Sequence, residues 1–136
     1  MATLHAELVS PEQILWSGDA EMVVCRTQGG DIAFLPGHQP YLGALAVGVV
    51  RFLLEDKSEV VAAVHGGFVQ VGENEVRVLS DLAELGGDID VTRAQSARER
   101  AEATLMKGDD ALATAALARA TVRIEANALV TQLARH

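Results

Sequence analysis

A chain of 136 residues and 14.4 kDa can bury one good core and carry a small attachment, but it is short for two full-sized domains. With 49% apolar residues and a formal net charge of -8, it has no general attraction for nucleic acid or anionic lipid, so its expected partners are proteins or locally held small anions. The single cysteine, Cys25, excludes an intrachain disulfide, and its apolar strand-like setting marks it as a small buried hydrophobe in a reducing, aqueous compartment.

From Leu4 the apolar residues alternate as Leu4, Ala6 and Leu8, and the run stops at Ser10-Pro11, where proline removes a donor and favours a turn. Ile14 to Trp16 reads as a second short strand closed by Ser17-Gly18-Asp19, and Ala20 to Thr27 as a third closed by Gly29-Gly30-Asp31. Ile32 to Leu35 is a fourth. It runs into Pro36-Gly37-His38-Gln39-Pro40, a loop stiffened by two prolines. Tyr41 to Leu54 continues as strand, with Gly43 and Gly48 marking bulges or a close approach of neighbouring backbone. The tip Glu55-Asp56-Lys57-Ser58 turns into Val60 to Val64. Gly66-Gly67 then precedes a hairpin, Phe68 to Val71 and Val76 to Leu79, around Glu73-Asn74. About eight to ten short strands, with turns every eight to twelve residues, predict an all-β antiparallel sandwich or flattened barrel over residues 1–87.

At Asp88-Ile89-Asp90 the apolar period changes from strand to helix. Asp88 or Asp90 can cap the first free amides while Ile89 stays in apolar contact, which makes the seam a boundary and a hinge candidate. Ala94, Ala97, Ala101 and Leu105 place a narrow apolar stripe on a helix from about Val91 to Met106. Lys107-Gly108-Asp109-Asp110 ends it and starts another. Ala113, Leu117, Ala120, Ile124 and Ala128 then line a second helix reaching roughly Thr131, so residues 88–136 form an αα-hairpin. Thirteen alanines in this region favour helix but bury little, which predicts a loosely held appendage. Charge divides at the seam as well: four Lys/Arg face fourteen Asp/Glu before Val91, whereas seven face five from Val91 onward. All five aromatics, Trp16, Phe34, Tyr41, Phe52 and Phe68, precede it.

No nucleophile motif, phosphate loop or Cys-x-x-Cys is present, and His5, His38, His65 and His136 lack ligand spacing, so no catalytic residue and no metal site is expected. His38 reads as a loop-ordering or protein-contacting imidazole, because no nucleophile or carboxylate stands beside it in the sequence. Asp88 and Asp90 suit capping better than acid/base work. Arg93 and Arg100 lie seven apart on the first helix, and Arg119 and Arg123 lie four apart on the second. If those faces converge they make an anion site suited to a polyphosphate; otherwise they are a solvated face partnered by Glu99, Glu102 and Glu125.

Several stretches together resemble the epsilon subunit of bacterial rotary (F-type) ATP synthases, the counterpart of the mitochondrial delta subunit. They are Val9-Ser10-Pro11-Glu12 with Leu15-Trp16-Ser17-Gly18; Gly30 through Pro40; Gly66-Gly67-Phe68; and Asp88-Ile89-Asp90 leading into Arg93-Ala94 and Ala97 to Glu102. The resemblance implies a non-catalytic central-stalk rotor subunit of the proton-translocating enzyme, at the cytoplasmic face of the bacterial cell membrane and without membrane insertion of its own. It implies a sandwich that couples the gamma subunit to the c-ring, and a mobile hairpin that regulates ATP hydrolysis by reaching toward the alpha and beta subunits. The loop Pro36, Gly37, His38, Gln39 and Pro40 is then a contact with the c-ring or gamma. No cofactor is required, but ATP is implied as a regulatory ligand at Glu84, Ile89, Asp90, Arg93, Ala94, Arg100, Arg119 and Arg123. Leu112 and Thr104 stand where tighter-binding relatives carry basic residues, and Ala33-Phe34 and Gln39 depart from the usual loop. The alternative is a free-standing β-sandwich adaptor that binds another protein through the Pro36–Pro40 loop.

Overall fold

The computed structural model describes residues 2–134; His136, one of the four scattered histidines, and the last residues of the hairpin region lie outside them. Eight strands come first: β1 (Leu4–Val9), β2 (Ile14–Ala20), β3 (Met22–Thr27), β4 (Gly30–Phe34), β5 (Tyr41–Leu53), β6 (Glu59–Gly72), β7 (Glu75–Leu79) and β8 (Ala83–Leu85). A single 3-10 turn (Gly86–Asp88) leads to two helices, α1 (Val91–Leu105) and α2 (Ala111–Ala134). The strands pair in the order β2-β1-β7-β6-β5-β3-β4, with β8 added along β6.

Two long strands make the sandwich. Along β5 and β6 the register holds from Tyr41↔Val71 to Leu53↔Glu59, yet the residues that enter the main core change parity. They are Leu45, Val69 and Val71 in one half of the ribbon, and Val50, Phe52, Ala62 and Val64 in the other. Neighbouring side chains in a strand point to opposite faces, so a ribbon that leaves one layer and enters the facing one must turn its other face to the core. The first half of β5 and the second half of β6 join β7, β1 and β2 in one layer; the remaining halves join β3, β4 and β8 in the other. Contacts between Trp16 and Phe52 (ring centroids 4.6 Å apart) and between Phe34 and Tyr41 (5.5 Å) close the two layers on each other. The crossing falls at Gly66 and Gly67, whose φ values of +87° and +121° are ones that L side chains resist.

Several strand expectations are corrected. Gly18 does not end β2, and Gly66-Gly67 does not separate two strands, because β6 runs through both glycines. β8, three residues long, carried no period to read. The sheet is not wholly antiparallel, since β1 lies parallel to β7 from His5↔Glu75 to Val9↔Leu79. Gly43 and Gly48 sit in unbroken register under the Tyr41 ring and the Arg26 side chain, so they serve close approach and not bulges. The Glu73-Asn74 turn joins β6 to β7 as read, with Asn74 at φ +54°.

Asp90 caps α1 by accepting from the Arg93 amide at 3.1 Å, and Asp110 caps α2 by accepting from the Ala113 amide at 3.0 Å. Ala94, Ala101, Ala113 and Ala120 are buried as the hairpin stripes require, whereas Ala128 is exposed. A further stripe on α2, Val122, Ala126, Leu129, Val130 and Leu133, packs on Val49, Val61, Ala63 and Ile89 to form a second core over the outer face of the β3-β4-β8 layer. The hairpin therefore grips the sandwich more firmly than its alanine content predicts. Gly86 permits the fit: a Cβ there would lie 2.7 Å from Val130 Cγ2 and 2.9 Å from the Ala126 oxygen. Its carbonyl accepts from the Asn127 amide nitrogen at 3.1 Å. No helix among the described residues is long and apolar enough to cross a membrane.

Candidate functional site

Where β8, the 3-10 turn and the two helices meet, a cavity of about 390 Å3 is lined by Glu84, Asp88, Ile89, Asp90, Arg93, Ala94, Ala97, Arg100 and Arg123. The Asp90 cap fixes the start of α1, and the seven-residue spacing of Arg93 and Arg100 then turns both guanidinium groups to the same side, where Arg123 meets them from α2. Seven of the eight residues implied for a nucleotide are thus gathered: Glu84, Ile89, Asp90, Arg93, Ala94, Arg100 and Arg123. Arg119 is the exception. It lies half-buried one turn before Arg123, outside the cavity wall, and its charge bears on His65 instead.

Arg93 and Arg100 are exposed, as a solvated face would have them, but they lack the acidic partners that such a face was expected to supply. Arg123 Nε donates to Glu84 Oε1 at 2.5 Å, while Arg93 and Arg100 take part in no ion pair among the described residues. Of the proposed acidic partners, Glu102 engages Arg98 at 3.8 Å, not Arg100. Two unengaged guanidinium groups and a third anchored one can receive phosphate oxygens in forked geometry, and the volume lies in the usual range of roughly 300–1,000 Å3 for small-molecule sites. Nothing here resembles a nucleophile with its base.

Beneath Glu84 lies a residue that spacing alone did not single out. His65 follows Val61 and Ala63 on the α2-facing side of β6; its side chain is only 2% exposed, and Nε2 stands 3.2 Å from Glu84 Oε1. Facing a carboxylate, Nε2 carries the proton and donates, and Nδ1 is buried without a hydrogen-bond partner. Burial pushes His65 below the ordinary imidazole pKa. The Arg123 and Arg119 charges add to that fall, and the bond to Glu84 opposes it. Cys25 is buried as read, and burial, with the nearby Asp31 charge, raises its thiol to about 12.

The Pro36–Pro40 loop holds one shape. Gly37, at φ +83°, donates its amide to Asn74 Oδ1 at 3.1 Å, and the His38 ring packs edge-on against Phe34 at 4.9 Å. On the outer face of the layer built from β2, β1, β7, β6 and β5, a row of cross-strand neighbours is apolar throughout: Ile14, Val9, Leu79, Phe68 and Ala44. Ile14 and Phe68 are 57% and 55% exposed, and no helix covers them, unlike the opposite layer. The neighbouring row, Ser17, Glu7, Arg77, Gln70 and Leu42, is polar except at its end. A cross-strand row is invisible to a reading taken along the chain, which is why sequence reasoning missed it.

Family models of the ATP synthase delta/epsilon chain match in two parts, the β-sandwich domain over residues 3–86 and the long α-helix domain over residues 88–127. The chain belongs to the ATP synthase delta/epsilon family. The ATP synthase epsilon chain of Streptomyces avermitilis is 48% identical over 125 residues, which cover 92% of this chain and 95% of that one. The epsilon chain of Streptomyces griseus is 45% identical, over 94% and 98% respectively. Among solved structures, a chain of the Euglena gracilis mitochondrial ATP synthase, determined with OSCP, F1 and c-ring, superposes with a TM-score of 0.72 at 21% identity, over 100% of this chain and 83% of that one, a likeness of fold.

Proposed function

We propose that the chain is the non-catalytic epsilon subunit in the central stalk of a proton-translocating ATP synthase, bound peripherally at the cytoplasmic face of the membrane. The observation that carries the reading is the uncovered apolar row on an otherwise well-sealed sandwich, since a lone chain has no use for a row that runs from Ile14 through Val9 and Leu79 to Phe68 with both large ends exposed. That face suits the gamma shaft. The Pro36–Pro40 loop is tied to Asn74, which follows Phe68 by six residues along the same ribbon. At ~3.4 Å per residue this places it roughly 20 Å away, at the other end of the layer, where it suits the c-ring. One subunit can then couple gamma to the ring, while the hairpin of residues 88–136 is free to regulate hydrolysis against the alpha and beta subunits. The arginine cavity suits ATP as a regulatory ligand that favours the closed hairpin, because part of its wall is β8 and part is α1 and α2.

Phe68→Glu tests the docking face. Binding to an alpha, beta and gamma complex, followed by co-sedimentation, should weaken by at least about a hundredfold, as expected for charging the centre of an interface. Leu112→Glu, at the exposed hairpin tip, should bind normally. Equal binding by both variants would move the gamma contact to another face of the sandwich, and a parent chain that fails to bind the complex would return it to the adaptor reading, in which the Pro36–Pro40 loop meets some other protein.

A further inference from the structure

We propose that His65 is a proton-operated latch: protonating its buried imidazole releases α2 from the sheet and opens the hairpin. The groups around it are arranged for this. β8 contributes Glu84 Oε1 at 3.2 Å from Nε2; α2 contributes Arg123, bound to that same oxygen, and Arg119; β5 sets Val47 opposite and offers no charge; Asp88, Arg93 and Arg100 lie in the cavity beyond Glu84. In the closed hairpin, neutral His65 satisfies Glu84 through Nε2–H and leaves only a bare lone pair at Nδ1. Protonation places an N–H donor at that position with no acceptor, and sets a cation beside Arg123 in a place closed to water. An unmatched buried donor or charge is far more costly than an unmatched lone pair.

Opening relieves both conflicts, because α2 takes Arg119 and Arg123 away and water reaches Nδ1, while Glu84 stays beside His65 on the sheet. The closed state therefore binds the proton more weakly than the open one. Its pKa lies below the ordinary imidazole value because of burial, helped by the Arg123 and Arg119 charges, and opening removes those causes while keeping Glu84 beside it, so the open state holds the proton more tightly. The contribution of neutral His65 to closure is complete above the open-state pKa and is lost as pH falls from there toward the closed-state pKa. Each pH unit between the two values multiplies the open-to-closed ratio by up to about ten. An acidified cytoplasm would thus extend the hairpin, the form implied to restrain hydrolysis.

The inference rests on a detachable hairpin, and the experiment separates the two claims. Spin labels at Glu55→Cys, on the β5–β6 turn, and Ala128→Cys, on the exposed side of α2, report sheet-to-helix distances in the full chain, and buried Cys25 stays unlabelled. Between pH 8 and pH 5.5 the ratio of long-distance to short-distance populations should rise severalfold, up to about tenfold. His65→Gln should hold it nearly constant, and His5→Gln and His38→Gln should behave as the parent. A histidine NMR titration of the unlabelled parent, which needs no substitution to fold, should find closed-form His65 still neutral at pH values just below the ordinary imidazole range. A parent insensitive to pH, a His65→Gln variant that follows the parental curve, or a closed-form His65 that titrates at or above the ordinary imidazole value overturns the latch. Ala126→Glu places a charge in the docking face and should open the hairpin at every pH. If it opens the hairpin while acid does not, the latch alone is wrong; if it too leaves the hairpin closed, the mobile hairpin and the latch fall together.

Discussion

Gly67 illustrates how much one residue can decide. A Cβ there would lie 2.1 Å from the Leu79 carbonyl oxygen and 3.0 Å from Ser80 Cα, and the φ of +121° adds strain for any L side chain. Neither backbone atom can withdraw without parting β6 from β7. Gly67→Ala should therefore destabilise the sandwich by about 3 kcal/mol or more, seen as a fall in the urea midpoint followed by Trp16 fluorescence. The glycine pair was visible in the sequence, but its meaning was not. Two adjacent glycines between apolar runs ordinarily end a strand, and only the layer crossing shows why this strand continues through them. His65 was equally visible and equally mute, since its significance comes from Glu84 and Arg123, far away in sequence and brought together by docking.

At the scale of elements, α1 was readable almost to the residue because one apolar stripe, an Asp cap and a glycine stop agree on it. α2 was half readable. One side of it meets α1 and another meets the sheet, so its apolar positions surround much of the helix and blur the period that marks a single buried face. The same geometry makes Gly86 the point at which the hairpin can be separated from the sandwich. Gly86→Ala would press on Val130, on the Ala126 oxygen and on the Val61 oxygen at 3.2 Å. A cost of at least about 1 kcal/mol to the closed state should raise trypsin cleavage at Arg119 and Arg123 by about fivefold. The urea transition of the sandwich reported by Trp16 should stay near that of the parent, because the main core contains no helix residue.

The molecule as a whole divides its work between two cores. The larger lies between the sheet layers and draws only on strand residues and their neighbours up to Leu85; the smaller is shared between sheet and α2. That division suits the proposed rotor subunit, in which the body stays fixed to its partners while the helices change place. It was legible beforehand as the contrast between an aromatic, acidic first part and an alanine-rich, arginine-bearing second one. The seat of the helices was not, because their attachment depends on Val49, Val61 and Ala63, which in the sequence are indistinguishable from sandwich core. The most direct test is ATP hydrolysis by an alpha, beta and gamma complex supplied with the whole chain or with the chain ending at Asp88. The account predicts that both forms bind and that only the whole chain slows hydrolysis. If both bind and hydrolysis is the same with either, the hairpin is not a regulator and the mobile-arm account is contradicted.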